Sequence, residues 1–226
     1  MNDALFTEKY ENYLLVEGRD DKHVFYELLK QYQILKQFET KNQYFEVKDH
    51  EGIDNLLNSK TLKTYLKVDV DEPRRFGIVV DADTNLLGRW QKLRDILKSL
   101  GYGTMPNDPI PDGTIIKEDG LPNVGIWLMP DNKVPGVMED FVSLLVPRDD
   151  LLWPLAGDVL QRVIERDRRF REAYQSKACL HTWLAWQREP GTSLGLAITR
   201  HYVDVTATHA QGLIDWIRKL FDLGSA

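Results

Sequence analysis

FGIVVDADTN, residues 76–85, decides the fold. Phe76 to Val80 form an apolar, β-branched run with no polar side chain. Such a run suits a strand buried on both faces, and that means a parallel sheet covered by helices. The run stops abruptly at two acids, Asp81 and Asp83. About sixty residues earlier, LLVEGRDDKHVF (14–25) has the same shape: Leu14, Leu15 and Val16 lead straight into Glu17, Gly18, Asp20 and Asp21. Two buried strands that each end on carboxylates set the question of function.

Working outward, NYLLVE (12–17) reads as a short strand and DDKHVFYELLKQYQILK (20–36) as a helix. In that helix Val24, Phe25, Leu28, Leu29, Tyr32 and Leu35 recur at the helical period, and Asp20 stands as N-cap. QYFEVKD (43–49) reads as a second strand and GIDNLLNSKTLKTYLKV (52–68) as one helix. NLLGRWQKLRDILKSLG (85–101) reads as a helix closed by Gly101. Strand–helix alternation predicts a parallel sheet with crossover helices. The Gly/Pro-rich segment 101–122 reads as loop plus a strand or hairpin. NVGIWLMPDN (123–132) is a further strand closing on Asp131, and GVMEDFVSLLVP (136–147) a short helix. Residues 154–187 read as mostly helical. HAQGLIDWIRKLFDL (209–223) is amphipathic, with Leu213, Ile214, Ile217, Leu220 and Phe221 on one face.

The 226 residues are 42% hydrophobic and 28% charged, as expected of a globular chain. No apolar run nears the roughly 20 residues of a membrane span, and the N-terminal residues lack the layout of a signal peptide. Cys179 is the single cysteine, so no intrachain disulfide forms and a cytoplasmic location is expected. The net charge of −6 argues against a general nucleic-acid coating protein. It leaves room for an enzyme that meets nucleic acid through metal ions.

In open parallel sheets, ligands bind beyond the carboxyl ends of the strands. Glu17, Asp81, Asp83 and Asp131 end strands, and Glu139 and Asp140 follow closely. Carboxylates brought together repel unless a cation sits between them, and hard oxygen donors without a His/Cys cluster favour Mg²⁺ or Mn²⁺. Asp81 and Asp83, two apart, face the same way if the strand continues. Gly18 lets the chain turn so that backbone approaches a phosphate or metal-bound water. Glu17 is placed to act as general acid or base.

VEGRDD (16–21) followed by VVDADTN (79–85) resembles the Toprim signature: a strand-ending Glu-Gly, an acid four residues after the Glu, then Asp-x-Asp after a later strand. The resemblance covers about residues 10–145. With PGVMEDFV (135–142) and HTWLAWQREPGTSLGLAI (181–198), the layout is most similar to stand-alone Toprim-like proteins related to the Toprim domain of overcoming-lysogenization-defect (OLD) nucleases. The resemblance implies a Toprim-like, Rossmann-like α/β domain over residues 1–146, with a mainly helical C-terminal region over 147–226 packed on it. It implies Glu17 as catalytic acid/base and Asp81, Asp83, Asp21 and Glu139 as ligands of Mg²⁺ or Mn²⁺. Gly18 and Lys133 are expected at the substrate. The implied activity is metal-dependent phosphodiester cleavage of DNA or RNA. The alternatives are hydrolysis of a small phosphorylated or nucleotide substrate, and a non-catalytic component binding nucleic acid or protein in a defence or repair complex. No GxxxxGK[ST] loop occurs, so any ATPase is expected as a separate protein partner.

The remaining signals read more plainly. Asp131 suits a turn in PDN. Arg162, Arg166, Arg168, Arg169, Arg171 and Lys177 read as a solvated face laced with Glu165, Asp167 and Glu172, with a phosphate-tracking patch beside the metal site as the other reading. Trp183 and Trp186 suit helix packing rather than base stacking. The histidines at 23, 50, 181, 201 and 209 lack metal-ligand spacing. GTSLG around Ser193 is not a nucleophile elbow and suits a turn entering a packed segment.

Overall fold

The computed structural model describes residues 12–35, 44–66 and 74–224. Lys36, Gln43, Lys67 and Val68, placed by the sequence at the ends of regular segments, lie outside the described residues.

Five strands, β1 (Tyr13–Val16), β2 (Glu46–Asp49), β3 (Arg75–Asp81), β4 (Thr114–Ile116) and β5 (Asn123–Met129), form one sheet in the order β2-β1-β3-β5-β4. The first four in that order run parallel, and β4 pairs antiparallel with β5. The Gly/Pro segment thus supplies one short edge strand. The protein is α/β, with a mostly parallel sheet flanked by helices and a helical C-terminal region. Strand order reverses at β1, whose neighbours are β2 on one side and β3 on the other. Side chains directed outward from the ends of β1 and β3 therefore meet at the crevice where such sheets bind ligands.

Alternate residues of each buried strand serve opposite faces. Leu15, Ile78, Val80, Ile126 and Leu128 pack with Trp90, Leu93 and Leu97 of α4 (Leu86–Ser99). Leu14, Val16, Val79, Trp127 and Met129 pack on the other face, with α1 (Arg19–Gln31) and five later helices. These are α5 (Met138–Ser143), α6 (Leu152–Asp167) through Ala156, α7 (Gln175–Ala185), α8 (Leu194–Thr199) and α9 (Thr208–Phe221). Helices on both sides of residue 146 thus share one core.

Two sequence expectations change. The helix expected over 52–68 is two short ones, α2 (Ile53–Leu56) and α3 (Ser59–Lys63), because the Asn58 side chain accepts from the Lys60 N–H and starts a new helix. The helical stretch 154–187 divides between α6 (Leu152–Asp167) and α7, with Arg168 extended at the break.

The anticipated apolar face of α9 is buried throughout, together with Trp216. Its seat is hollowed out of the sheet, because Gly77 and Gly125 stand side by side on β3 and β5. A Cβ at Gly125 would lie 2.5 Å from Leu220 Cδ2 and 2.8 Å from Trp216 Cζ2. Only glycine leaves room for the helix there.

Candidate functional site

A cleft of about 350 Å³ opens beyond the carboxyl ends of β1 and β3, lined by Glu17, Asp20, Asp21, Asp81, Glu139 and Lys177 among others. Val79, Met129 and Met138 lie beneath the acids. The apolar floor withdraws solvent from the carboxylates, and their proximity adds repulsion.

Glu17, Asp21 and Asp140 are each held by a backbone N–H. Glu17 Oε1 accepts the Asp81 N–H at 2.7 Å, which ties the end of β1 to the end of β3. The Glu17 carbonyl accepts from the Gly52 N–H at 2.8 Å, which holds the loop after β2 in the same corner. Asp21, third residue of α1, returns its Oδ2 to the Gly18 N–H at 2.7 Å. Asp140 does the same for the Val137 N–H at 2.8 Å at the start of α5. Asp140 therefore holds a helix end, while its neighbour Glu139 lines the cleft.

Burial, then repulsion from Glu17, Asp21 and Glu139, pushes the Asp81 carboxyl up to about 9. Burial likewise raises Glu17 to about 7, with the charges of Asp21 and Asp83 adding to it. Asp21 rises to about 6, again chiefly through burial, even though the Gly18 N–H favours its ionised form. The Asp81 carboxylate has no hydrogen-bond or ion-pair partner among the described residues.

Of the residues singled out by sequence, Glu17, Gly18, Asp21, Asp81 and Glu139 come together. Asp83 and Lys133 do not line the cleft. The strand does not continue through Asp83, whose φ of 52° turns the chain into the left-handed region. Its N–H donates to the Gly136 carbonyl at 2.9 Å, and its carboxylate pairs with Arg89. Asp83 still acts on Glu17 and Asp81 through its charge. The Lys133 N–H donates to Asp131 Oδ1, confirming Asp131 as a turn residue. Gly18 is extended, with φ −135°, a conformation open to any residue. The chain does bend at residues 17–18, but the bend does not need a glycine, and the Gly18 N–H is engaged by Asp21 rather than free to meet a phosphate. Gly18 is the N-cap of α1, and Asp20 is the second residue of its first turn, exposed on the cleft.

Basic residues at the site were not legible: Lys177 and Arg19 line the cleft, and Arg89 stands beside it on Asp83. Lys177 of α7 places Nζ 3.0 Å from Glu139 Oε1, and that hydrogen bond raises its pKa. Arg89 of α4 is largely buried against Asp83, with its Nε unpartnered. Lys177 was visible only as the tail of a basic run. The rest of that run stays outside: Arg169 pairs with Asp167, and Arg168 with Glu172. Trp183 is core, its indole N–H donating to Asp150 at 3.0 Å, whereas Trp186 is partly exposed. Ser193 caps α8 by accepting from the Leu196 N–H.

The donor set suits a hard divalent cation, since every acidic atom is a carboxylate oxygen and Asp81 is uncommitted. In this arrangement no three His, Cys, Asp or Glu side chains among the described residues converge closely enough to hold one. Glu139 is engaged by Lys177, and Glu17 and Asp21 by backbone N–H groups, so binding requires local rotation of side chains.

A family model described as "Protein of unknown function (DUF3226)" matches residues 11–222. The chain belongs to this family. Within the DUF3226 match fall the sheet, the acid cleft and the helices after residue 146 that wall it. No curated protein and no solved structure matches. Among the described residues, no helix is long and apolar enough to cross a membrane.

Proposed function

We infer that the cleft binds Mg²⁺ or Mn²⁺ and that the protein cleaves phosphodiester bonds in DNA or RNA, in the manner its resemblance to Toprim nucleases implies. The observation that carries this reading is the meeting of Glu17, Asp21 and Asp81 at the switch between β1 and β3. All three carboxyls lie above their ordinary range, in a charge arrangement that a divalent cation relieves. Asp81 with Asp21 would hold the ion, and Glu139 would join them once Lys177 lets it go. Asp83 joins the set only if it leaves Arg89. When bound, the metal polarises a phosphoryl oxygen and lowers the pKa of a bound water.

The chain's own groups supply the rest. Glu17, raised to about 7, is poised to hold or release a proton near neutral pH. Lys177 and Arg19 are the cations on the cleft wall, and each suits a substrate phosphate. A separate ATPase or other protein partner remains part of the proposal.

The size of the cleft favours a second reading. About 350 Å³ is the lower range of small-ligand sites, and α7 and α8 contribute Lys177 and Leu194 to its wall. A small phosphorylated or nucleotide substrate suits that space. The Gly/Pro segment 101–122 does not line the cleft.

Both readings are tested by incubating the protein with single- and double-stranded DNA and RNA and with a panel of nucleotides and phosphoesters, in Mg²⁺, Mn²⁺ or EDTA. Glu17→Gln and Asp81→Asn serve beside the wild type. Metal-dependent polymer cleavage lost in both variants supports the nuclease. Turnover of small substrates alone moves the reaction to the second reading. Metal-independent binding of nucleic acid or protein without turnover makes the chain a binding component.

A further inference from the structure

We propose that α6 is a self-association surface through which two copies of this chain pair antiparallel about a two-fold axis near Val159. The inference is independent of the chemistry of the cleft.

At 100° per residue, Leu152, Leu155, Val159 and Val163 fall within about 80° of one another on α6. Ala156 and Leu160, on the adjoining stripe, are buried. Of the outer residues, Leu155 is 48% exposed, Val163 43% and Leu152 37%, while Val159 between them is half-buried, and Leu151 just before the helix is 87% exposed. The helix therefore carries an apolar arc twice as wide as its own fold uses. A solvated surface helix needs no such second stripe.

The charges that flank the stripe, with Arg166 at its C-terminal end, point to a second copy as the occupant. Asp158 and Arg162 are spaced i, i+4, yet they form no ion pair, and neither do Asp149 and Arg166. All four are exposed. An antiparallel pair centred on Val159 sets Val159 against its own copy and Leu155 against Val163 of the other chain. The same register brings Asp158 beside Arg162 of the second copy, twice by symmetry. It also brings Arg166 near Asp149, which precedes the second copy's helix. One two-fold register thus satisfies the unused stripe and the unpaired charges together, as an isologous contact requires. A single helix face lies at the small end of specific interfaces, so the dimer is expected to be weak and concentration-dependent.

Sedimentation equilibrium of the full chain over about 1–200 µM, the range in which small interfaces associate, tests this. A monomer–dimer equilibrium is expected, and Val159→Arg should weaken it by about tenfold or more, since it buries a charge at the centre. Asp158→Arg and Arg162→Asp should each weaken dimerisation by opposing like charges across the axis. The double reversal should restore it. These exposed charge changes leave the core untouched, so the trio decides even if Val159→Arg misfolds. A chain that stays monomeric throughout, or a dimer indifferent to Val159→Arg and to the single reversals, overturns the proposal.

Discussion

Replacing Asp81 by Asn removes the most crowded charge in the cleft while keeping its shape. In the fold this carboxyl rises from 3.8 to about 9. The native state therefore holds a proton that the unfolded chain has already lost. A raised acid destabilises the fold progressively as pH climbs from the lower value to the higher, with a slope near 1.4 kcal/mol per pH unit. At pH 7 the upper bound is about 4 kcal/mol. Part of that belongs jointly to Glu17, whose charge helps to raise Asp81, so Asn should stabilise by about 2–4 kcal/mol. Urea unfolding in EDTA, followed by the fluorescence of buried Trp90, Trp183 and Trp216, measures it at several pH values between about 5 and 8. The advantage of Asp81→Asn should widen steadily with pH. Added Mg²⁺ should narrow it by stabilising the wild type alone. A pH-independent difference, or a variant less stable throughout, would refute the reasoning, because Asp81 would then be ionised and well paired in the native state.

Metal binding should strengthen as pH rises from about 6 to about 9, because Asp21, Glu17 and Asp81 must give up protons to accept the ion; titration calorimetry in buffers of different ionisation enthalpy reads the protons released, and none released would sink the idea. Lys177→Met should free Glu139 and tighten metal binding while slowing cleavage. Its cost in stability should stay below about 1 kcal/mol, since the pair is partly solvated. Gly125→Ala should destabilise by about 1–3 kcal/mol through contact with Leu220 and Trp216, and a chemical melt unchanged from wild type would mean that α9 can lift off the sheet freely. Ser193→Ala should cost about 1 kcal/mol by uncapping α8.

The sheet was legible because its central strands announce themselves. Residues 76–80 have no polar side chain, and alternating helical periods dictate parallel pairing. The meeting of Glu17 with Asp81 was legible for the same reason, since parallel strands put their ends at one edge. What sequence could not supply was the course of the chain after a strand stops. Asp83 departs because the backbone turns left-handed and hands its N–H to Gly136, a contact more than fifty residues away. Lys133 fails because Asp131 binds its N–H within a local turn. Lys177 enters because α7 packs against α5. That is a tertiary fact with no periodic trace, and five neighbouring basic residues looked equally eligible.

The glycine trough beneath α9 bears on how the chain is made. β3 and β5 emerge from the ribosome long before residues 208–221, at a synthesis rate of about 5–20 residues per second. For several seconds the nascent sheet carries a bare groove where Trp127 and two glycines face solvent. No other helix has a Trp216 and a Leu220 shaped to that groove. A stall before α9 would leave a half-product with that apolar groove bare and its acid-lined edge already formed.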